Sequence, residues 1–341
     1  MNKTLAIPQP PARVVSRRPQ IVSGIVVVAL VVLALFPFLD FVSGALIRTV
    51  TVVIMAAALA QAWNLIGGYT GYPAFGNVAF FGLGGYATAI LMAKLKVDFV
   101  PAVIVGGVVA ASYATLLGFP VLRLKGHYFS IATLGIAEAT REVIANWTDV
   151  TGGGTGITLP ISPLRPQQFN QTMYFAMLFV FVGSVLLTFL VTRSKLGYGM
   201  IAIREDEDAA KSLGINTTLF KVAAFALSAL VAGLVGGVYA YWNSSLIPED
   251  AFNIDYTLRA ILIAIIGGPG TLFGPALGAI AFEFLRNFLW DRFPGLQFTF
   301  LGLMMVLVII FMPKGVMEFL TGRRRFSPRD LLQYVRDNRV S

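Results

Sequence analysis

The chain has 341 residues, 57% hydrophobic and 13% charged, with a net charge of +9 and a mean hydropathy of +0.77. Soluble domains carry about 25% charged residues, so this composition excludes an ordinary soluble enzyme and points to a polytopic membrane protein. Cysteine is absent and His127 is the single histidine, which excludes disulfides, thiolate metal sites, a cysteine nucleophile and a histidine cluster.

The first 20 residues, "MNKTLAIPQPPARVVSRRPQ", are polar, Pro-rich and then basic, and read as a cytoplasmic tail. The apolar run 21–39 that follows exceeds the roughly 7–15-residue core of a cleaved signal peptide and reads as a retained first span. Apolar runs of membrane-spanning length then recur, giving about ten expected spans: 21–39, 43–66, 75–94, 99–118, 127–146, 171–192, 219–242, 257–268, 272–290 and 297–312. The expected fold is therefore all-α, with a transmembrane domain over 21–312 and a basic tail over 313–341. Two Gly-rich segments, "GGYTGYPAFG" (67–76) and "GGPGTLFGP" (267–275), interrupt the pattern. Irregular backbone at membrane depth survives only inside protein or beside a cavity, so both breaks are expected to face inward. A weak echo links 65–82 with 265–283: both run from Gly-Gly through Phe-Gly to Ala-Phe.

Threading ten spans with the N-terminus inside puts eighteen Lys and Arg residues on the inner side and four on the outer. Basic residues mark cytoplasmic loops, so both termini are expected in the cytoplasm. The same bias accounts for the net charge without invoking nucleic acid. The expected outer loops are 148–170, rich in Gly, Thr and Pro, and "NSSLIPEDAFNID" (243–255). The basic C-terminal tail, with "GRRRF" at 322–326, suits anionic lipid headgroups.

No Gly in the chain is followed by Lys, so there is no GxxxxGK[ST] loop and the chain is not expected to hydrolyse ATP itself. Metalloprotease motifs and Ser nucleophile elbows are also missing. Glu138, Arg141 and Glu142 fit a local ion pair within one helix, and no cofactor is expected. The aromatic run "FVFVGSVLLTFL" (179–190) reads as a lipid-facing or packing surface.

The longest inner loop, 193–218, holds the densest charge: Glu205, Asp206, Glu207 and Asp208 in succession. From Ile201 to Leu213 it reads as one short helix. Its acids lie in the first half and Lys211 in the last turn, as the helix dipole favours. Gly214 stands where a left-handed residue ends a helix, and Asn216 or Thr217 can cap the next span. Such a helix fits three uses: a solvated connection, a membrane-surface helix, which four acids disfavour beside anionic lipid, or a docking element in a partner's groove.

The string "GYGMIAIREDEDAAKSLGIN" (197–216) resembles the coupling loop of branched-chain amino acid permeases of ATP-binding-cassette importers, with Asp208 where the motif's first Glu commonly stands. "LRLKGHYFSIATLGIAEATREVIANWTDVTGGGTGI" (122–157) and "NVAFFGLGGYATA" (77–89) are similar to the LivM type of that family. The resemblance covers roughly 45–312. It implies a bacterial inner-membrane subunit that pairs with a second, related permease chain, two cytoplasmic ATPases and a periplasmic substrate-binding protein. It also implies that Glu205, Asp206, Glu207, Asp208, Ala209, Ala210 and Gly214 couple to the ATPases. Gly67, Gly68, Asn77, Thr155 and Gly156 are expected along the translocation path or its mouth. The alternatives are the same importer class with urea or short amides as substrate, or an ion-coupled secondary transporter.

Overall fold

A computed structural model describes residues 28–39, 42–292, 299, 302 and 303. The expected tails 1–20 and 313–341 and the expected span 297–312, apart from those last three residues, lie outside it. The chain divides into a small unit ending at Leu46 and a large unit from Ile47 onward. In the small unit an apolar helix, α1 (Val28–Phe38), occupies part of the first expected span.

Each expected span between 43 and 290 finds a helix. In chain order these are α2 (Gly44–Trp63), extended by a π-helical turn over Asn64–Gly68, α3 (Asn77–Ala93), α4 (Phe99–Val121) and α5 (His127–Asn146). A single turn, α6 (Thr148–Thr151), precedes α7 (Pro166–Thr192), which starts on proline, a residue suited to a first helical turn. Then come α8 (Lys195–Glu205), α9 (Glu207–Ser212), α10 (Thr217–Asn243), the single turn α11 (Pro248–Ala251), α12 (Asp255–Gly267) and α13 (Gly274–Arg292). Four of the described helical stretches are long and apolar enough to cross a membrane by length and composition: Gly44–Gly68, Phe99–Val121, Pro166–Thr192 and Thr217–Asn243.

The centre of the large unit is α10 packed on α3 and α4. Small residues let these backbones meet. A Cβ on Gly84 would stand 2.4 Å from the Gly233 Cα, and one on Gly236 would stand 1.9 Å from the Phe81 carbonyl oxygen. Helix pairs in membranes commonly gain packing this way, because lipid is as apolar as leucine and hydrophobic exclusion gives little. Phe80 and Phe225 add an edge-to-face contact at 4.9 Å between ring centroids. By contrast, α7 turns Phe179, Leu186 and Leu190 outward, as its aromatic-rich sequence predicts.

At about 1.5 Å per residue, the 27 residues of α10 span about 40 Å, and its two ends carry different loops. At the far end, Ile157–Thr158 (β1) pairs antiparallel with Ser245–Leu246 (β2), in the register Ile157↔Leu246 and Thr158↔Ser245. The two loops expected on one side of the membrane thus meet each other. The near end receives the charged loop between α7 and α10.

Candidate functional site

Helix α8 begins at Ser194, whose Oγ accepts the Leu196 N–H at 3.2 Å. It stops at Glu205 because Asp206 is extended, with φ −159° and ψ 110°. Asp206 Oδ1 accepts the N–H groups of Asp208 and Ala209, each at 2.9 Å, and so caps α9. The expectation of one helix from Ile201 to Leu213 is corrected here: the loop is two helices joined at a capping aspartate. An Asp that can satisfy two free N–H groups at once competes with helix continuation.

The C-terminal end follows the sequence closely. Gly214 has φ +82°, and the N–H groups of Gly214 and Ile215 donate to the Lys211 and Ala210 carbonyls at 2.9 and 3.1 Å. That is a complete Schellman closure. Asn216 Oδ1 then accepts the Leu219 N–H at 3.1 Å and starts α10.

The four acids have four different surroundings. Glu205 is exposed, and Asp206 is the cap. Asp208 is exposed and pairs with Lys125 at 2.9 Å. That hydrogen bond lowers the Asp208 carboxyl pKa and raises that of the Lys125 ammonium. Glu207 turns inward. Its Oε1 accepts from Lys211 at 2.9 Å and Lys221 at 3.0 Å, and its Oε2 accepts the Tyr72 hydroxyl. Lys221, at the base of α10, also donates to the Leu122 carbonyl at 2.8 Å and to the Tyr72 hydroxyl at 2.9 Å. The Lys221 side chain is 4% exposed and that of Glu207 11%, so this is a buried ion pair with its remaining capacity satisfied.

Burial pushes the Glu207 carboxyl up, but hydrogen bonds from Tyr72, Lys211 and Lys221 outweigh it and hold the pKa at about 2. The Tyr72 phenol moves upward, first by burial and then because it donates to Glu207. Lys221 Nζ also sits 4.6 Å from the Tyr72 ring centroid, within cation–π range. The cluster therefore joins three elements: α9, the foot of α10 and the first Gly-rich break.

A second tie runs through Arg204. Its Nη1 donates to the Gly68 carbonyl at 2.7 Å, and a Cβ on Gly270 would stand 2.3 Å from the same Nη1. Asn64 completes the stitch: its Nδ2 donates to the Thr271 carbonyl at 2.9 Å and its Oδ1 accepts the Gly270 N–H at 2.8 Å. Both Gly-rich breaks thus pack against each other and against α8, where irregular backbone finds protein partners.

The remaining sequence-picked residues scatter. Ala210 is buried, while Ala209 and Gly214 are exposed on α9 and its end. Gly67 packs on the Trp63 ring, and Gly68 lies under Arg204. Asn77 is buried at the start of α3, its Oδ1 accepting from Ser228 at 3.3 Å. Thr155 and Gly156 lie at the far end, where Gly156 backs onto the Leu246 carbonyl. The structure brings Gly68 to the loop 193–218 but does not gather the five into one site. Sequence reasoning missed Tyr72, Lys221, Arg204 and Asn64. The available signal was Lys221 itself, a charge a few residues into an apolar run, which demands a partner.

A family model described as the branched-chain amino acid transport system / permease component matches residues 43–309. The chain belongs to the branched-chain amino acid permease family. This permease is 32% identical to the high-affinity branched-chain amino acid transport system permease protein LivM of Escherichia coli, over 85% of this chain and 74% of that protein. It is 23% identical to a probable LivM of Methanocaldococcus jannaschii, over 74% and 87% of the two chains. LivH of Salmonella typhimurium, also a permease protein, is 21% identical over 76% and 90%. No solved structure matches the permease.

Proposed function

We propose that this permease imports branched-chain or closely related aliphatic amino acids, driven by ATP hydrolysis on separate ATPase subunits that dock on the loop 193–218. The observation that carries the reading is the linkage of that loop: its buried Glu207 grips the foot of α10 and the break at Tyr72, and its Arg204 grips Gly68. A partner pushing on the exposed faces of Glu205, Asp208 and Ala209 has direct purchase on the apolar helices through these ties. Asp206 and Gly214 set the two ends of α9, and so fix which way those faces point.

In this reading the loop and both termini face the cytoplasm, and the apposed loops at β1 and β2 face the periplasm. A periplasmic binding protein delivers substrate, and a second, related permease chain completes the path. The chain itself performs no ATP chemistry.

The test is reconstitution in proteoliposomes with the second permease, two ATPases and the binding protein. Leucine-loaded binding protein is expected to stimulate both ATP hydrolysis and leucine uptake. Reversing the charge of Asp208 and Glu205 together is expected to weaken ATPase attachment in pull-down. Undiminished attachment and uptake in that variant would remove the docking assignment.

A further inference from the structure

A cleft of about 290 Å³ opens between α5, the first turn of α3 and the segment 249–254. That lies just below the usual range for ligand pockets, about 300–1,000 Å³. Val78, Leu134, Phe252 and Ile254 give it an apolar wall, and Glu138, Arg141 and Glu249 line it with charge. α5 fills an expected span, yet its outward side carries Glu138, 61% exposed, and Glu142, 54% exposed. Charged groups on a membrane helix face a water-filled path or another protein rather than lipid.

The guanidinium of Arg141 is shared. Its Nε bonds Glu138 Oε1 at 3.1 Å, and its Nη2 bonds the same oxygen and Glu142 Oε1, the latter at 2.7 Å. These bonds leave the Nη1 edge unused. The Glu249 carboxylate lines the same cleft. A structural ion pair needs one carboxylate per guanidinium; here two bond Arg141 and a third, Glu249, lines the same cleft. The surplus is negative charge beside an apolar wall and an available donor edge.

We propose that this cleft is a substrate-contact site on the translocation path, built for the zwitterion of an aliphatic α-amino acid. The surplus carboxylates take the ammonium group, the Nη1 edge of Arg141 takes the carboxylate, and the wall at Leu134, Phe252 and Ile254 takes the side chain. This inference rests on the importer reading given above.

The test uses the full reconstituted transporter and a photoactivatable leucine carrying a diazirine in its side chain. Labelling is expected in peptides containing 134–141 or 249–254, competed by leucine. Arg141→Gln is expected to lower both uptake and labelling by about tenfold, the scale of a lost charge-assisted hydrogen bond. Leu134→Phe narrows the apolar wall and is expected to lower the ratio of leucine to alanine uptake by about threefold or more. That ratio is insensitive to how much protein folds. If the native complex imports leucine but labels only other peptides, or if both variants match it, the cleft assignment is overturned while the importer reading stands. If the native complex imports no aliphatic amino acid, the importer reading falls and the cleft assignment falls with it.

Discussion

Two charged clusters in this permease use similar residues and differ in nearly everything else. On α5, Glu138, Arg141 and Glu142 are neighbours in one helix, bonded across one to three positions and open to the outside. At the foot of α10, Glu207, Lys221 and Tyr72 come from three elements separated by up to 149 positions, and they are buried. The first cluster contributes little to the stability of the fold. The second is written into the packing, because a buried charge stripped of its partner has nowhere to go. Local ion pairs decorate one element; the distant one ties three elements together.

Glu207→Ala tests that contrast most severely. Breaking a buried pair costs about 3–5 kcal/mol, so the detergent-solubilised protein is expected to unfold at clearly lower temperature. Glu207→Lys combined with Lys221→Glu is expected to recover part of that loss. A Glu207→Ala variant as stable as the native chain would break the comparison outright.

Acid gives the next largest effect. The folded Glu207 carboxyl is held at about 2, below its ordinary 4.5. A depressed pKa contributes stability that is fully present above the unfolded value and lost as pH falls through the folded one. The cluster is therefore expected to stay intact at pH 5–7 and to loosen as pH drops from about 4.5 towards 2. Carbon-13 titration of the Glu207 carboxyl reads this directly, and a midpoint above 4.5 would contradict it.

Gly214→Ala tests the end of α9. No atom lies within 4 Å of a Cβ at Gly214, so the whole penalty is the left-handed backbone at φ +82°. About 1–2 kcal/mol is expected, seen as faster hydrogen exchange at Gly214 and Ile215. On α5, Glu138→Gln is expected to change stability by only about 0.5 kcal/mol, the scale of an exposed i,i+3 pair. A loss as large as that of Glu207→Ala would erase the distinction between the clusters.

The same distinction explains what the sequence disclosed. Spans, Gly-rich breaks, the Arg141 ion pair and the Gly214 stop are local, set by hydropathy, helical spacing and backbone preference. The split at Asp206 escaped notice because four successive acids look equivalent until one is seen to accept two backbone N–H groups. The Glu207–Lys221–Tyr72 cluster and the Arg204 tie escaped because partners so far apart in the chain leave no periodicity. The proposed cleft needed the fold as well, since Leu134 and Phe252 meet only through tertiary packing.

The glycine contacts among α3, α4 and α10 carry one more consequence. Where backbone touches backbone there is no side chain to swing aside, so the three helices cannot slide past one another by changing rotamers. They form a rigid keel. In the importer reading proposed above, a load arriving at Lys221 would tilt the keel as a whole.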